Sequence, residues 1–203
     1  MKHSVLQAIT YWLKATAKPG KVIREMSSNP QKLALSFWII FIFSVLYSLT
    51  ALLLFMVHRA PSLAPWIPIP RDDYYLYQTF WTIPWGLATW IMISGIYHLL
   101  AVLGKREPLR YEFENALVVC SIAWILPSFY LMWIPETFLL VPFGIQPPFM
   151  IELVRLMMLP PIWQTALTAI GVQHTHHVGW VKGIIIGVIT VTASFLMFLA
   201  FMR

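Results

Sequence analysis

Long uncharged stretches alternate with short charged ones along this chain. Residues 78–103 contain no Asp, Glu, Lys or Arg over 26 positions, and residues 115–135 contain none over 21. A helix needs roughly 20 apolar residues to cross the hydrocarbon core of a bilayer, so each stretch is long enough to span a membrane. A short charged turn at 104–110 joins them. The pattern therefore predicts a pair of transmembrane helices joined by a basic turn.

The same pattern predicts further spans on either side of this pair. We expect an all-α integral membrane protein with five transmembrane helices, at about 33–57, 78–103, 115–135, 149–172 and 179–202, so that residues 33–203 form one membrane domain. Composition agrees, because 59% of the chain is hydrophobic and only 11% is charged. An ordinary soluble domain has about 25% charged residues, and one core could not hide this much apolar surface.

Residues 1–32, ahead of the first span, predict a cytoplasmic, interfacial amphipathic segment. Apolar side chains recur there at helical spacing on one face, at Val5, Leu6, Ile9, Trp12 and Leu13. A helix with a tryptophan and flanking basic residues suits an anionic membrane surface. The predicted membrane-surface residues are Trp12, Lys14, Lys18, Lys21 and Arg24. Packing of this segment on the protein's own loops fits the pattern equally well.

The distribution of basic residues predicts the orientation of the spans. Five spans place the N-terminus and the turns after spans two and four on one face, which carries ten Lys and Arg, whereas the other face carries four. Because basic residues accumulate on the cytoplasmic side, we expect a multi-pass protein of a bacterial inner membrane, with a cytoplasmic N-terminus and an external C-terminus. The basic residues cluster at span ends and form no nucleic-acid stripe, so the lipid bilayer is the expected partner.

The fourth predicted span is the least regular. Glu152 and Arg155 are three residues apart and share a helix face, and Pro160-Pro161 interrupts the apolar run. Broken helices with charged residues occur at transporter sites, so these four residues are the candidate substrate or transport residues. The simpler interpretation is an ion pair at the outer interface, where snorkelling lowers the cost of charge.

Polar side chains at the cytoplasmic ends of the spans form a second candidate site. Histidine and carboxylate are suitable ligands for zinc or another divalent cation. The candidate metal ligands are His98, Glu112, Glu114, His174, His176 and His177. Their spacing matches no regular zinc motif, and histidines at headgroup level need no metal, so a polar turn without any cofactor is the alternative.

Catalytic signatures are missing from the sequence. We find no G-x-S-x-G, no H-E-x-x-H and no glycine-rich phosphate loop. The single cysteine, Cys120, lies inside an apolar span and allows no disulfide within a monomer. We therefore expect a non-enzymatic protein that needs no catalytic residue.

Several stretches resemble the Yip family, the membrane proteins named for interaction with Ypt/Rab GTPases, and its prokaryotic branch in particular. They are Lys18 to Met26 with Asn29-Pro30; residues 74–135 with their tyrosine-rich start, the 98–104 end and Pro127; and Ile162-Trp163-Gln164 through Gly171 with the histidine turn and Val181-Lys182-Gly183. The resemblance implies a five-span helical bundle with a cytoplasmic N-terminus. It does not imply GTPase recruitment, because the chain shows neither a long N-terminal region nor an Asp-Leu-Tyr-Gly-Pro motif.

The leading interpretation is a membrane protein that organises the membrane or partner proteins, either as a homo-oligomer or with other membrane proteins. A small ion or solute transporter that uses the fourth span is the second interpretation, and a protein that binds a divalent metal at its cytoplasmic face is the third. A cavity near Pro160 favours transport, whereas a tightly packed bundle favours the organising role.

Overall fold

The computed structural model describes residues 2–59, 69–105, 112–143, 148, 150–151 and 154–201, and all regular secondary structure in this part of the chain is helical. The principal helices are α1 (Lys2–Ala17), α2 (Pro19–Ser27), α3 (Lys32–Met56), α4 (Tyr74–Val102), α5 (Phe113–Pro127), α6 (Leu159–His176) and α7 (Trp180–Phe201). Shorter segments are the 3-10 turn Arg71–Asp73, the α-helical turn Val141–Phe143 and the π-helical Ser128–Trp133, Glu136–Leu140 and Val154–Met158.

The α5 helix lies at the centre of the bundle, in contact with α3, α4 and α6. Every residue from 116 to 127 is buried except Trp124. A helix that is apolar on all sides is typical of such a position. The indole N–H of Trp90 on α4 donates to the carbonyl of Leu117 at 2.9 Å. On the opposite side, a Cβ added to Gly171 of α6 would overlap the Val119 side chain. The core of the protein is therefore built around α5.

Four helical stretches of the described chain are long and apolar enough to cross a bilayer. They are Lys32–Met56, Arg71–Val102, Phe113–Leu139 and Trp180–Met197, and they overlap the first, second, third and fifth predicted spans. The fourth predicted span, 149–172, is not among them. Its helix α6 ends in the polar sequence Gln-His-Thr-His. The structure thus supports an integral membrane protein with four candidate spans.

Prolines alter the helices at two places. After Pro127 the chain continues from α5 into the π-helical segment Ser128–Trp133, so helix geometry changes where a kink was predicted. The second place is Pro160-Pro161, in the middle of the fourth predicted span, where the π-helical Val154–Met158 gives way to α6. These prolines stand at the start of α6 and do not interrupt its middle. The first turn of a helix tolerates proline because its N–H groups have no partner within the helix.

Two glycines of α7 bring this helix against α6. A Cβ added to Gly187 would lie 2.9 Å from the carbonyl oxygen of Thr165, and one added to Gly183 would lie 3.0 Å from Cγ1 of Val172. Only hydrogen at these positions allows the two backbones to approach so closely. The small-xxx-small spacing therefore marks a tight helix contact, as the sequence predicts.

The N-terminal helix α1 packs against the bundle through a face different from the predicted one. Trp12 is only 6% exposed, and its ring meets Phe43 and Phe129 edge-on, at centroid distances of 6.3 and 4.9 Å. Leu6 and Leu13 point outward and are 64% and 63% exposed. The assignment of Trp12 to the membrane surface is corrected, because aromatic neighbours inside the protein take up its ring.

The contacts of α1 also show its direction. Ser4 donates to Gln31, just before α3, whereas Thr16 lies 2.9 Å from the hydroxyl of Tyr130, beyond the end of α5. Phe43, which Trp12 touches, lies about 16 Å along α3 from its first residue, at 1.5 Å per residue. The α1 helix therefore runs alongside the first half of α3, and α2 returns from its end with Val22, Ile23 and Met26 buried.

Replacing Gly171 by alanine tests whether the contact between α5 and α6 holds the bundle together. The new methyl group would overlap the buried, β-branched Val119, and we expect a loss of stability of about 1–3 kcal/mol from overpacking. The control is Gly95→Ala in α4, where an added Cβ meets no atom within 4 Å. Thermal unfolding in detergent should show a lower apparent Tm for Gly171→Ala alone; equal values for both variants would contradict this packing.

Candidate functional site

A pair of histidines, His176 buried and His98 half-buried, joins the ends of α4 and α6. Nδ1 of His98 lies 3.3 Å from Nε2 of His176. His176 is completely buried, whereas the next residue, His177, is exposed. The ring of His98 also meets the ring of Phe113 edge-on at the start of α5. Two of the predicted metal ligands are therefore neighbours at the meeting point of three helices.

A chain of hydrogen bonds leads from this pair into the bundle and assigns its protons. The single hydroxyl proton of Thr175 goes to the carbonyl of Gly171 at 2.9 Å. Thr175 then accepts from the hydroxyl of Tyr97 at 3.1 Å and from Nδ1–H of His176 at 2.7 Å. His176 is left with a lone pair on Nε2, which accepts from His98. Neutral imidazoles satisfy every one of these contacts. The hydrogen bonds therefore hold α4 against α6 without a buried charge.

Two lysines close the helix ends around the histidine pair. Nζ of Lys105 donates to the carbonyls of His176 and His177 at 3.1 and 3.4 Å, and Nζ of Lys182 donates to the carbonyl of Leu103 at 2.6 Å. The last carbonyls of a helix have no partner within the helix and carry partial negative charge. These lysines, which the sequence marked as topology signals, also cap α6 and α4.

The two predicted glutamate ligands form ion pairs away from these histidines. Lys32 at the start of α3 bonds to Glu112, lies 3.6 Å from Glu114 and donates to Asn115 at 3.2 Å. The role of Lys32 was missed, because nothing in the sequence pairs it with residues 80 positions away.

His174 lies 3.5 Å from the Arg24 guanidinium of α2, apart from the pair formed by His98 and His176. Among the described residues, no group of three or more His, Cys, Asp or Glu side chains is placed to hold a metal ion. A zinc site at this face stays a prediction.

A second polar cluster lies beside the second half of α3, away from Lys32, and contains the candidate transport residue Arg155. Its guanidinium donates to the carbonyl of Leu131 at 2.9 Å and lies 3.9 Å from the Glu136 carboxylate, which accepts from the hydroxyl of Tyr47 at 3.2 Å. Glu136 is only 7% exposed. Sequence reasoning missed this carboxylate, although an acidic residue at a span end near an intramembrane arginine is a usable signal. Glu152 lies outside the described residues.

Burial sets the protonation state of the histidines outside the spans. Loss of water contact lowers the pKa of His176 to about 4, and His98, Lys105 and His177 act in the same direction. Burial, followed by the charge of Arg24 and by His177, lowers the pKa of His174. The folded protein therefore holds His176 neutral at pH values where an unfolded chain, with an ordinary pKa of about 6.5, binds a proton.

This pKa difference predicts a loss of stability in mild acid. Neutral His176 has its full effect on the free energy of unfolding above about pH 6.5. This free energy falls as the pH drops towards 4, by up to about 2 kcal/mol at pH 5. Apparent Tm in detergent at pH 7.5 and pH 5 should therefore fall more in the wild type than in His176→Gln. His177→Asn, at an exposed position whose left-handed backbone suits asparagine, should keep the full drop. An equal drop in His176→Gln would contradict the assignment.

Comparison with known proteins agrees with the resemblance noted in the sequence. The model of the Yip1 domain family matches residues 14–202, which is nearly the whole chain. No curated protein and no solved structure matches it. The matched region runs from the second half of α1 to α7 and includes all four candidate spans. The chain therefore belongs to the Yip1 domain family of membrane proteins.

Proposed function

We propose that this Yip family protein is a non-enzymatic, multi-pass protein of a bacterial inner membrane that organises the surrounding membrane or partner proteins. The proposal includes a cytoplasmic N-terminus, an external C-terminus and a further span at about 149–172, which ends before the histidines of α6. The ten-to-four distribution of basic residues supports this orientation. The lysine caps at the ends of α4 and α6 agree with it, because charged side chains there are in reach of headgroups and water.

The observation that carries the proposal is the helical hairpin of α1 and α2. Its inner face is buried against the bundle through Trp12, Ile23 and Met26, so the hairpin has a fixed orientation. Its outer face exposes Leu6 and Leu13 to the surroundings. The hairpin runs beside only the first half of α3, so it inserts into the cytoplasmic leaflet alone. Insertion into one leaflet displaces lipid on that side and gives the protein a direct means to organise the membrane around it.

Basic side chains lie along the outside of the hairpin and suit anionic headgroups; those beside its deeper turn need their full length to reach them. They are Lys14, Lys18, Lys21 and Arg24, all of them exposed. Long basic side chains can keep their aliphatic stems in the apolar region while the charge reaches the headgroups. Each such charge near an anionic leaflet contributes about 1 kcal/mol. The hairpin is therefore a rigid platform that selects anionic lipid.

The transport interpretation has less support from the fourth span. Arg155 is held by Glu136 and by backbone carbonyls of the π-helical segment, which suits a structural clamp. Pro160 is buried in the first turn of α6. Partner proteins or a second copy of the chain fit the exposed apolar sides of α4 and α7, which include Phe80, Ile91 and Ile185.

The lipid preference of the hairpin can be measured directly. A variant with Lys14, Lys18, Lys21 and Arg24 all changed to Gln should retain at least about ten-fold less anionic lipid, because up to four contacts of about 1 kcal/mol each are lost. The measurement is the anionic lipid bound per protein after mild detergent extraction from mixed vesicles, by native mass spectrometry. The matched control changes Arg59 and Arg71, at the other end of the bundle, to Gln. Equal lipid retention by the two variants would rule out the proposed platform.

A further inference from the structure

A cavity of about 250 Å³ lies between α3, α4, the end of α5 and α7. The tryptophans Trp81, Trp85 and Trp124 form part of its wall, together with Phe43 and Tyr47. Small-molecule sites are concave, mostly apolar and aromatic, and carry a few placed polar groups. This cavity lies apart from the histidine pair and from Pro160, and none of the functions considered so far uses it.

Two polar atoms at the cavity have no hydrogen-bond partner within the described structure, Oε1 of Gln78 and Oγ1 of Thr89. Thr89 is only 2% exposed. Two other threonines of α4 behave differently, because Thr79 and Thr82 each donate to the carbonyl four residues earlier. A buried hydroxyl without a partner costs about 1–3 kcal/mol. Thr89 lines the cavity, so a polar group of a bound molecule is the candidate partner for this hydroxyl.

The position of these atoms restricts the shape and charge of that molecule. Gln78 and Thr89 are 11 residues apart, which is about 16 Å along a helix, so a ligand that bonds to Thr89 and fills the cavity as far as Gln78 is elongated. The described lining residues include no Asp, Glu, Lys, Arg or His. An ionised group would lose its hydration there without a counter-charge. An uncharged ligand is therefore required at the deep end.

The exposed rings at the edge of the cavity indicate the route of access. Tyr77 and Trp81 line the cavity and are themselves 45% and 53% exposed. Both lie in the first part of a candidate transmembrane stretch, Arg71–Val102, whose start lies outside the cell in the proposed orientation. Aromatic side chains of this kind collect at the membrane interface. The cavity is therefore reached from the lipid of the outer leaflet.

We propose that this cavity binds an uncharged, single-chain amphiphile taken from the outer leaflet. A hydroxyl or carbonyl group of the ligand bonds to the Thr89 hydroxyl at the deep end, and the apolar chain lies among the tryptophan rings towards Gln78. The choice of the outer leaflet rests on the orientation proposed above, whereas the organising role does not depend on this site.

Tryptophan fluorescence tests the proposal, because three of the ten tryptophans line the cavity. The probe is a long-chain fatty alcohol brominated along its chain, titrated into the full protein in nanodiscs of unbrominated lipid. We expect quenching that saturates. In Thr89→Val the half-saturating concentration should be about five-fold higher than in the wild type, because one hydrogen bond of about 1 kcal/mol is lost. The matched control is Thr192→Val on α7, where the exposed hydroxyl donates to Val188; it should equal the wild type.

Two reporter variants assign the quenching to the cavity. Trp85→Phe should remove part of the saturable quenching, whereas Trp180→Phe, at the exposed start of α7, should leave it intact. Quenching that never saturates, or the same half-saturation in Thr89→Val as in the wild type, would overturn the proposal. A brominated phospholipid that saturates the site equally well would overturn it too, since any acyl chain would then be the occupant. Unchanged apparent Tm of Thr89→Val excludes misfolding as the cause of weaker binding.

Discussion

The close packing of α5 among α3, α4 and α6 is the constraint on which the rest of the structure depends. Lipid supplies no hydrophobic driving force between helices, so close contact and hydrogen bonds must hold a bundle together in a membrane. Gly171 meets Val119 without a side chain of its own, and the Trp90 indole reaches the carbonyl of Leu117. With α5 held on two sides, α4 and α6 end at the same level, and their histidines meet.

Polar groups inside this bundle are satisfied in two different ways. Around His98 and His176, neutral hydrogen bonds connect the rings to hydroxyls and carbonyls, and lysines cap the helix ends. Around Arg155 and Glu136, opposite charges and backbone carbonyls share a buried position next to the π-helical segment. Both arrangements avoid an unpaired buried charge, which is expensive in a low-dielectric medium. Six buried polar atoms of the described residues have no hydrogen-bond partner, and two of them, on Gln78 and Thr89, belong to residues that line the cavity. For that reason the cavity suggests a ligand.

Sequence reasoning succeeded where the signal was long and local. Uncharged runs of twenty or more residues predicted the four candidate spans, and the spacing of Gly183 and Gly187 predicted a tight helix contact. It failed where a decision depended on neighbours distant in the chain. Trp12 looks like a membrane anchor from its spacing alone, but Phe43 and Phe129 surround it.

The sequence by itself determined that this is a helical membrane protein with an uneven distribution of basic residues, because hydrophobic length and charge are local properties of the chain. The match to the Yip1 domain family likewise depends on the sequence alone. Only the tertiary structure decided how the six predicted metal ligands separate. His98 and His176 form a pair, His174 contacts an arginine, the two glutamates pair with Lys32, and His177 stays exposed. The tertiary structure also placed Glu136 beside Arg155 and opened a cavity at Thr89. Such pairings join residues up to 150 positions apart, and the relative placement of helices that creates them cannot be read from the period of any single helix.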